Sequence, residues 1–465
     1  MKPTFAASRR EFFRRATALS SLGTAAPFAL NLAAIGAASA QSTSDYRAIV
    51  CLFMFGGNDH NNMVIPYDSA SYATYHAARD GLALPYANLL EIAAATSQGS
   101  GRRFSVPAEM AELQALFANK KAAVLGNVGP ILGPTTLADF KAQRNLPGRL
   151  FSHNDQVSTW QAFKPEGVRI GWGGRIGDLL MSQNSDTTFT SVSASGNAVL
   201  MSGNTVLQYQ VSTSGAIRIG ATASSLFGSA KSAAAVQALS MAGGTNLLEQ
   251  DHAAIVKRSY VAADKVATAL AGYPATDAAF TLPTALASDG LGLQLQIVLR
   301  MMAARSVLGA KRQVFFVGIG GFDTHDDQLT RQPALLARVS KAMDYFYQGT
   351  VKLGIENQAT LFTASDFGRT LASNGDGSDH AWGSHHVIVG GAVKGGDIYG
   401  SIPEVRVGTS ANPHPLDTGG GRYIPTTSVD QYAVTLAKWM GVSASDFSLV
   451  APNIGNFSAP ALNFL

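Results

Sequence analysis

The sequence predicts an α/β fold of the three-layer type, with helices on both faces of a mostly parallel central sheet. Apolar runs that end in glycine or polar residues are typical of strands buried on both faces. Such runs occur at 48–55, 122–126, 314–318, 359–363 and 387–390. Helical patterns separate them, and alternation of strands and helices favours a parallel sheet.

The helices are predicted from apolar residues three or four positions apart. They cover 107–120, 246–271, 291–308, 328–348 and 428–440. Residues 184–245 differ, because they are rich in Ser, Thr, Gly and Ala with short alternating runs. We interpret about 184–280 as an inserted cap that covers or flanks a cleft, within a single domain over 41–465.

Composition and charge exclude several classes of protein. Of 465 residues, 46% are hydrophobic and 14% charged, which excludes a disordered chain. Residues 1–40 hold five basic residues and one acidic residue, so they carry all of the formal net charge of +4. The neutral remainder gives no bulk attraction to nucleic acid. A single cysteine, Cys51, excludes an intrachain disulfide.

The first forty residues are typical of a twin-arginine signal peptide. Arg9 and Arg10 lie in Ser-Arg-Arg-Glu-Phe-Phe, an Ala-rich apolar stretch follows, and Ala38-Ser39-Ala40 supplies a cleavage site. The expected partner is the twin-arginine translocase, and the expected location is periplasmic or secreted. An uncleaved membrane anchor is the alternative. Elsewhere the chain has no run of about 18 apolar residues, so no stable transmembrane segment is expected.

Polar residues cluster where the predicted strands end. Asp59 follows the first strand, Asp323 and His325 follow 314–318, and Asp366 follows 359–363. In open α/β sheets, ligands bind beyond the carboxyl ends of the strands. Carboxylates that converge there repel one another, and a divalent cation relieves the repulsion. Mixed Asp and His ligands favour zinc or manganese over calcium. The alternative is that these residues only form turns.

Six motifs and the leader occur in an order that resembles a known family. The motifs are Gly56-Gly57-Asn58-Asp59, Phe151-Ser152-His153, Gly320-Gly321-Phe322-Asp323-Thr324-His325, Ser365-Asp366-Phe367-Gly368-Arg369-Thr370, Asp379-His380-Ala381-Trp382-Gly383 and Gly390-Gly391-Ala392-Val393-Lys394-Gly395-Gly396. Together they resemble the exported bacterial family called domain of unknown function 1501, across nearly the whole chain. That family is placed near the alkaline phosphatase and sulfatase superfamily, so the resemblance implies an alkaline phosphatase-like three-layer sandwich.

The resemblance also implies a set of metal ligands. Asp59 resembles the first metal aspartate of the superfamily, and Asp323 with His325 resembles its Asp-and-His element at a tighter spacing. Asp366 resembles the aspartate of an Asp-His pair, but Phe367 stands where the histidine is expected, which leaves open whether one or two ions bind. The remaining implied ligands are Asp379 with His380, which could fill that gap from the next loop, and His385 or His386 as the last histidine.

Three further residues are candidates for catalysis. Ser152 is the candidate nucleophile, since metal coordination would activate its hydroxyl, and a helix cap is the alternative. His153 could position a leaving group or an anionic oxygen. Arg369 could bind an oxygen of phosphate or sulfate, with a structural ion pair as the alternative.

The sequence thus leads us to expect an exported metal-dependent hydrolase of phosphate or sulfate esters, in which Ser152 or a metal-activated water attacks a small-molecule or polymer substrate. A non-catalytic envelope or surface protein with the same fold is the alternative, which the Asp366-Phe367 pair favours.

Overall fold

The computed structural model describes residues 46–96, 98–218 and 225–465. The predicted leader lies outside the described residues. Within the described ranges, no helix combines the length and the apolar character needed to cross a bilayer.

The strands are short and most are buried. They are β1 (Arg47–Met54), β2 (Ile65–Pro66), β3 (Leu89–Ile92), β4 (Phe104–Pro107), β5 (Ala122–Gly129), β6 (Ser191–Ser193), β7 (Tyr209–Ser212), β8 (Gly215–Ala216), β9 (Arg312–Ile319), β10 (Ala359–Ser365), β11 (Arg369–Ser373), β12 (Ser378–His380), β13 (Ser384–Gly390), β14 (Ile398–Gly400) and β15 (Thr427–Ser428).

The α-helices range from four to 25 residues. They are α1 (Ser69–Arg79), α2 (Ala111–Ala118), α3 (Leu137–Lys141), α4 (His153–Ala162), α5 (Trp172–Leu180), α6 (Ala230–Ser240), α7 (Leu247–Ala271), α8 (Gly290–Ala303), α9 (Arg305–Leu308), α10 (Gln328–Lys352), α11 (Val429–Met440) and α12 (Phe447–Val450).

The predicted elements are present, with two differences in the helices. The helix expected over 107–120 begins at Ala111, because the ψ angle of 34° at Met110 ends a preceding 3₁₀ turn. The helix expected over 291–308 is divided into α8 and α9 at Ala304.

The fold is a three-layer α/β sandwich around a mostly parallel sheet, as the sequence predicts. The strand order is β14-β5-β13-β10-β1-β9-β6-β7-β8, with β15 also beside β5. The strands from β10 to β7 are parallel to their neighbours within that run. Among the described strands of this sheet, β13 runs antiparallel to β10 and β5, and β8 runs antiparallel to β7.

Successive side chains of β1 point to opposite faces of the sheet, which explains why helices pack on both faces. Ala48, Val50, Leu52 and Met54 pack on one face, against a core that includes α7, α8 and α10. Ile49, Cys51 and Phe53 pack on the other face, against a core that includes α5 and α11. Burying one such side chain stabilises the fold by roughly 1.5–3 kcal/mol.

The segment expected to be a cap extends the sheet instead of covering a cleft. Its strands β6 and β7 continue the central sheet beyond β9, and β8 forms a hairpin with β7. Val192 in β6, Val211 in β7 and Val266 in α7 belong to the same core as β1. These three buried valines of the segment therefore extend the core at the edge of the sandwich.

Candidate functional site

Three loops meet at one edge of the sheet because β1 pairs in parallel with both β9 and β10. Met54, at the end of β1, lies opposite Ile319 in β9 and Ser365 in β10. The loops that follow also touch. A Cβ atom on Gly56 would lie 2.4 Å from the backbone nitrogen of Asp323, and Gly56 has a φ of +113°. Only glycine allows this approach, so the Gly56-Gly57 motif brings the loops together.

The structure gathers four of the candidate side chains at this edge. His153 is at the start of α4, Asp323 and His325 follow β9, and His380 ends β12. Ligand atoms of His153, Asp323 and His380 lie within 4.8 Å of one another. His325 Nε2 is 2.8 Å from His380 Nε2 and 3.1 Å from Asp323 Oδ1. We call these four residues the His/Asp cluster.

Several distances between ligand atoms of the cluster are close to those around a tetrahedral ion. His380 Nε2 lies 3.6 Å from Asp323 Oδ1, and His153 Nε2 lies 3.6 Å from Asp323 Oδ2. Two ligands that are each about 2.0–2.1 Å from a tetrahedral zinc ion are about 3.3 Å apart. The four distances, from 2.8 to 3.6 Å, bracket that value.

Two hydrogen bonds fix the imidazoles so that each presents Nε2 to the cluster. The Nδ1–H group of His153 donates to Asp366 Oδ2 at 2.7 Å, and that of His380 donates to the carbonyl oxygen of Phe151 at 2.8 Å. Carboxylates and backbone carbonyls hold metal-binding histidines in this way. Phe151 has a φ of +69°, a strained angle for a residue of this size. The strain turns its carbonyl oxygen toward His380.

One atom of the cluster is conspicuous because it has no partner. His153 Nε2 is buried and makes no hydrogen bond to any described residue. A buried polar atom without a partner costs about 1–3 kcal/mol, and a cation beside Asp323 would supply one. The residues present therefore fit a divalent ion.

The electrostatics favour the metal-binding forms of His380 and Asp323 but not that of His153. Burial lowers the pKa of the His380 imidazole, so this ring is neutral at pH 7. Partial burial raises the pKa of Asp323, but the hydrogen bond and charge of Arg369, together with the charges of His153 and His325, outweigh it and the net pKa falls. The hydrogen bond to Asp366 raises the pKa of His153, so protons compete with an ion for this ring.

Phe367 stands where the resemblance to the alkaline phosphatase superfamily led us to expect a histidine. Its ring is fully buried, and its centroid lies 4.8 Å from that of His153 and 4.5 Å from that of His380. The ring thus forms an apolar wall beside two imidazoles and offers no ligand atom. His380 enters the cluster from the β11–β12 hairpin, as the sequence suggested, whereas Asp379 Oδ1 lies 3.4 Å from His325 Nδ1, on the outer side of that ring.

A cleft of about 500 Å³ opens beside the cluster. Its lining includes His325, Asp379 and His380, with aromatic side chains and one cation that the sequence analysis did not select. These additional residues are Phe140, Phe151, Thr418 and Arg422. None of the lining comes from the described part of 184–280.

Arg369 is placed differently from the expectation, because it is buried and its donors are used. Its Nε donates to the carbonyl oxygens of Gly57 at 2.8 Å and Phe322 at 3.1 Å. Its other nitrogens donate to the carbonyls of Gly56 and Ser378 and to the carboxylate of Asp323. Arg369 therefore joins three loops instead of facing a substrate, and the structural alternative is the correct one.

Asp59 is also outside the cluster. Its carboxylate is buried and pairs with Arg79, with Gln328 as a further donor. The other oxygen accepts hydrogen bonds from the backbone and side chain of Asn61 at 3.0 and 3.1 Å. Both oxygens are thus occupied, which corrects the expectation that Asp59 is a metal ligand.

His385 and His386 lie within β13, not in a loop, and both are buried. His385 Nδ1 accepts a hydrogen bond from the backbone of Asn127 at 2.9 Å, and His386 Nδ1 lies 3.3 Å from Thr363 Oγ1. Burial lowers the pKa of His386 to about 3. These two histidines are parts of the core, contrary to the expectation that one is a ligand.

Ser152 and Asp366 support the cluster from outside. The Ser152 hydroxyl donates to Asp155 Oδ2 at 2.8 Å and makes no capping hydrogen bond to the helix backbone. Asp366 is buried between the backbone of Gly56 and His153, so it orients a ligand. Ser152 thus adjoins His153 in the chain, but its hydroxyl is engaged with another carboxylate.

Comparison with known proteins gives a family but no activity. The model of a family described as protein of unknown function (DUF1501) matches residues 46–418. No curated protein sequence matches. One similar solved structure is described as Ps i-CgsB in complex with k-i-k-neocarrahexaose. It is 9% identical, with a TM-score of 0.33 over 89% of this chain and 77% of that chain, and at this distance it carries no argument.

Proposed function

Because this chain belongs to the DUF1501 family of proteins of unknown function, we propose its function from the chemistry of its own site. It is a metal-dependent hydrolase of phosphate or sulfate esters, and the His/Asp cluster binds its divalent ion. Zinc or manganese suits one carboxylate and up to three imidazoles. The observation that carries the proposal is the set of converging Nε2 atoms, two of which are oriented by hydrogen bonds at Nδ1.

An ion held there would polarise an ester oxygen and activate a water molecule. Catalytic zinc sites use three protein ligands and keep one position open. His153, Asp323 and His380 are three such ligands. His325 then remains beside the open position, where its imidazole can accept a proton from the attacking water. We assign the attack to water instead of Ser152, because the Ser152 hydroxyl is hydrogen-bonded to Asp155.

The charges around the cluster explain why the ion must bind before an anionic substrate does. Three carboxylates, on Asp323, Asp366 and Asp379, face two guanidinium groups, on Arg369 and Arg422. With neutral imidazoles, three negative and two positive charges give a net of −1, which repels a phosphate or sulfate ester. A divalent ion changes this sum to +1 and makes the cleft attractive to the same ester.

The size and lining of the cleft suit an ester with a sizeable leaving group. A volume of about 500 Å³ is within the range of small-molecule sites. Phe140 and Phe151 supply apolar surface near the cluster, and rings stack well on such side chains. A leaving group that carries a ring would therefore gain binding energy that a methyl ester would not.

We also propose that the protein acts outside the cytoplasm, after export by the twin-arginine translocase. The support is the sequence of residues 1–40 alone. Export can be tested by fusing residues 1–45 to a fluorescent protein and replacing Arg9 and Arg10 together by lysine. Retention of the variant fusion in the cytoplasm, with export of the parent fusion, would support this part. Equal distribution of the two would contradict it.

The test of the hydrolase begins with metal content. The protein is purified without added metal, loaded with zinc or manganese, and assayed with aryl phosphate and aryl sulfate esters. We expect one ion per chain, and loss of both ion and turnover in His153→Ala and His380→Ala. His252→Ala removes an exposed histidine on α7 and serves as the matched control. A wild-type protein that binds neither ion would refute the proposal.

A second candidate function is a non-catalytic envelope protein that retains this fold and an ion. The apolar Phe367 and the pairing of Asp59 with Arg79 favour it, because two positions implied as metal ligands have structural roles. An ion that binds tightly without turnover of either class of ester would favour this candidate. Turnover that disappears with the ion would exclude it.

A further inference from the structure

We infer that Arg422 is the residue that binds the anionic group of the substrate. The inference rests on the proposed function and deepens it, since it names the group that recognises the phosphate or sulfate of the ester. Arg422 lines the cleft together with His325 and His380, and its side chain is 32% exposed. It thus has the access that Arg369 lacks.

The guanidinium is held at one end and keeps donors at the other. Its Nε donates to the carbonyl oxygen of His380 at 2.7 Å, and Nη1 donates to that of Gly419 at 3.2 Å. Arginine carries five N–H donors, so three remain on Nη1 and Nη2. Nη2 lies 3.8 Å from Asp379 Oδ2, which is too long for a hydrogen bond but close enough to orient the group.

The bond to His380 ties the arginine to the cluster itself. Because the carbonyl of His380 accepts from Arg422 and its Nε2 belongs to the cluster, the ion and the guanidinium are separated by a single residue. Arg422, His325 and His380 also line the same cleft, and in the inferred arrangement an anion bound beside the ion contacts Arg422. Planar guanidinium groups bind two oxygens of phosphate or sulfate at once, which fixes the orientation of the ester.

A loop of three glycines places Arg422, and it is rigid. Gly419, Gly420 and Gly421 have φ values of +133°, +66° and +76°. The buried carboxylate of Asp417 accepts hydrogen bonds from the backbone nitrogens of Gly419 at 2.7 Å and Gly421 at 2.9 Å. A Cβ atom on Gly421 would lie 2.3 Å from that of Leu371. The loop therefore packs against β11, and the arginine that follows starts from a fixed backbone.

The binding of inorganic sulfate and inorganic phosphate tests the inference without turnover. Calorimetric titrations compare metal-free and zinc-loaded forms of wild type, Arg422→Gln and Arg422→Lys. We expect Arg422→Gln to weaken anion binding to the zinc-loaded protein at least tenfold and to leave zinc binding intact. Arg422→Lys, which keeps the charge but loses the fork, should give an intermediate affinity and shows whether the fold survives.

Arg103→Gln is the matched control, because Arg103 is exposed and pairs with Glu91 outside the lining of the cleft. Unchanged anion affinity in Arg422→Gln, with zinc and anion bound by wild type, would overturn the inference and leave the hydrolase proposal intact. Failure of wild type to bind zinc would instead refute the hydrolase. Anion binding that depends on Arg422 in metal-free protein would still support the inference.

If wild type and Arg422→Gln both hydrolyse an aryl ester, their kinetic constants provide a second measurement. Loss of the anion contact in Arg422→Gln should raise KM at least tenfold. If the rise in KM came from a purely structural defect, the melting temperature and the zinc content would fall as well. A fall in zinc content equal to the fall in anion affinity would therefore count against the inference.

Discussion

Asp366 and His153 form the pair on which the candidate metal centre depends. The buried carboxylate accepts a hydrogen bond from His153 Nδ1 at 2.7 Å, and its other oxygen accepts one from the backbone of Gly56 at 3.1 Å. The imidazole is thereby fixed with Nε2 beside Asp323, although the two residues are 213 positions apart in the chain. The motif Ser365-Asp366-Phe367 thus orients a ligand instead of supplying one.

Asp366→Asn should weaken zinc binding tenfold to a hundredfold, as loss of an orienting carboxylate does in other metal sites. The amide cannot hold the Nδ1–H tautomer of His153 as firmly. Competition with a chromophoric chelator measures the affinity. Asp326→Asn, which changes an exposed carboxylate in the loop after β9, is the control. Equal affinities of the two variants would contradict the assigned role.

Asp59→Asn should destabilise the fold and leave ion binding unchanged. Removal of the carboxylate leaves the buried guanidinium of Arg79 without its partner, which typically costs about 3–5 kcal/mol. Urea unfolding measures this loss, and metal analysis of the folded variant measures the ion. Loss of the ion at unchanged stability would show that Asp59 is a ligand after all.

His386 should make the protein sensitive to acid. Burial lowers its pKa in the folded state to about 3, whereas the unfolded chain binds a proton below about 6.5. The stability is therefore complete above pH 6.5 and falls as the pH decreases toward 3, by up to about 1.4 kcal/mol per pH unit for this group. His386→Phe should reduce this slope in urea unfolding between pH 6.5 and 4. An unchanged slope would contradict the prediction.

Asp430 should give the stability the opposite dependence on pH. Burial at the start of α11 raises its pKa to about 6, so the folded protein holds a proton that the unfolded chain releases above about 4. Stability from this group is present below pH 4 and is lost as the pH rises through 6. The stability of Asp430→Asn relative to wild type should increase by about 2 kcal/mol between pH 4 and 7. A difference that does not vary with pH would refute this.

The sequence predicts the fold well because the core strands are apolar on both faces. The strand predicted over 314–318 is the centre of β9, and that over 359–363 is the first five residues of β10. Parallel strands place their following loops at one edge, so the approach of the loops that carry Asp323 and Asp366 follows from topology, whereas His380 reaches that edge through the β11–β12 hairpin. The same reasoning does not reveal which side chain a loop residue will face.

Three misplaced residues illustrate that limit. Asp59 follows its strand as a ligand would, but Arg79, twenty residues later, neutralises it. Arg369 has the chemistry of an anion clamp, but three loops close around it. Arg422 was missed because it lies in an irregular segment. The three glycines before it were the available signal, since consecutive glycines mark a backbone that must adopt positive φ angles.

The burial of Arg369 has a consequence for how the protein matures. One guanidinium binds carbonyls of Gly56, Phe322 and Ser378, so its desolvation is compensated only when all three segments have arrived. The site should therefore form in a single cooperative step late in folding, and partly folded states should not bind an ion. If the proposed ion binds, its identity would then reflect the metals available in the compartment where that last step takes place.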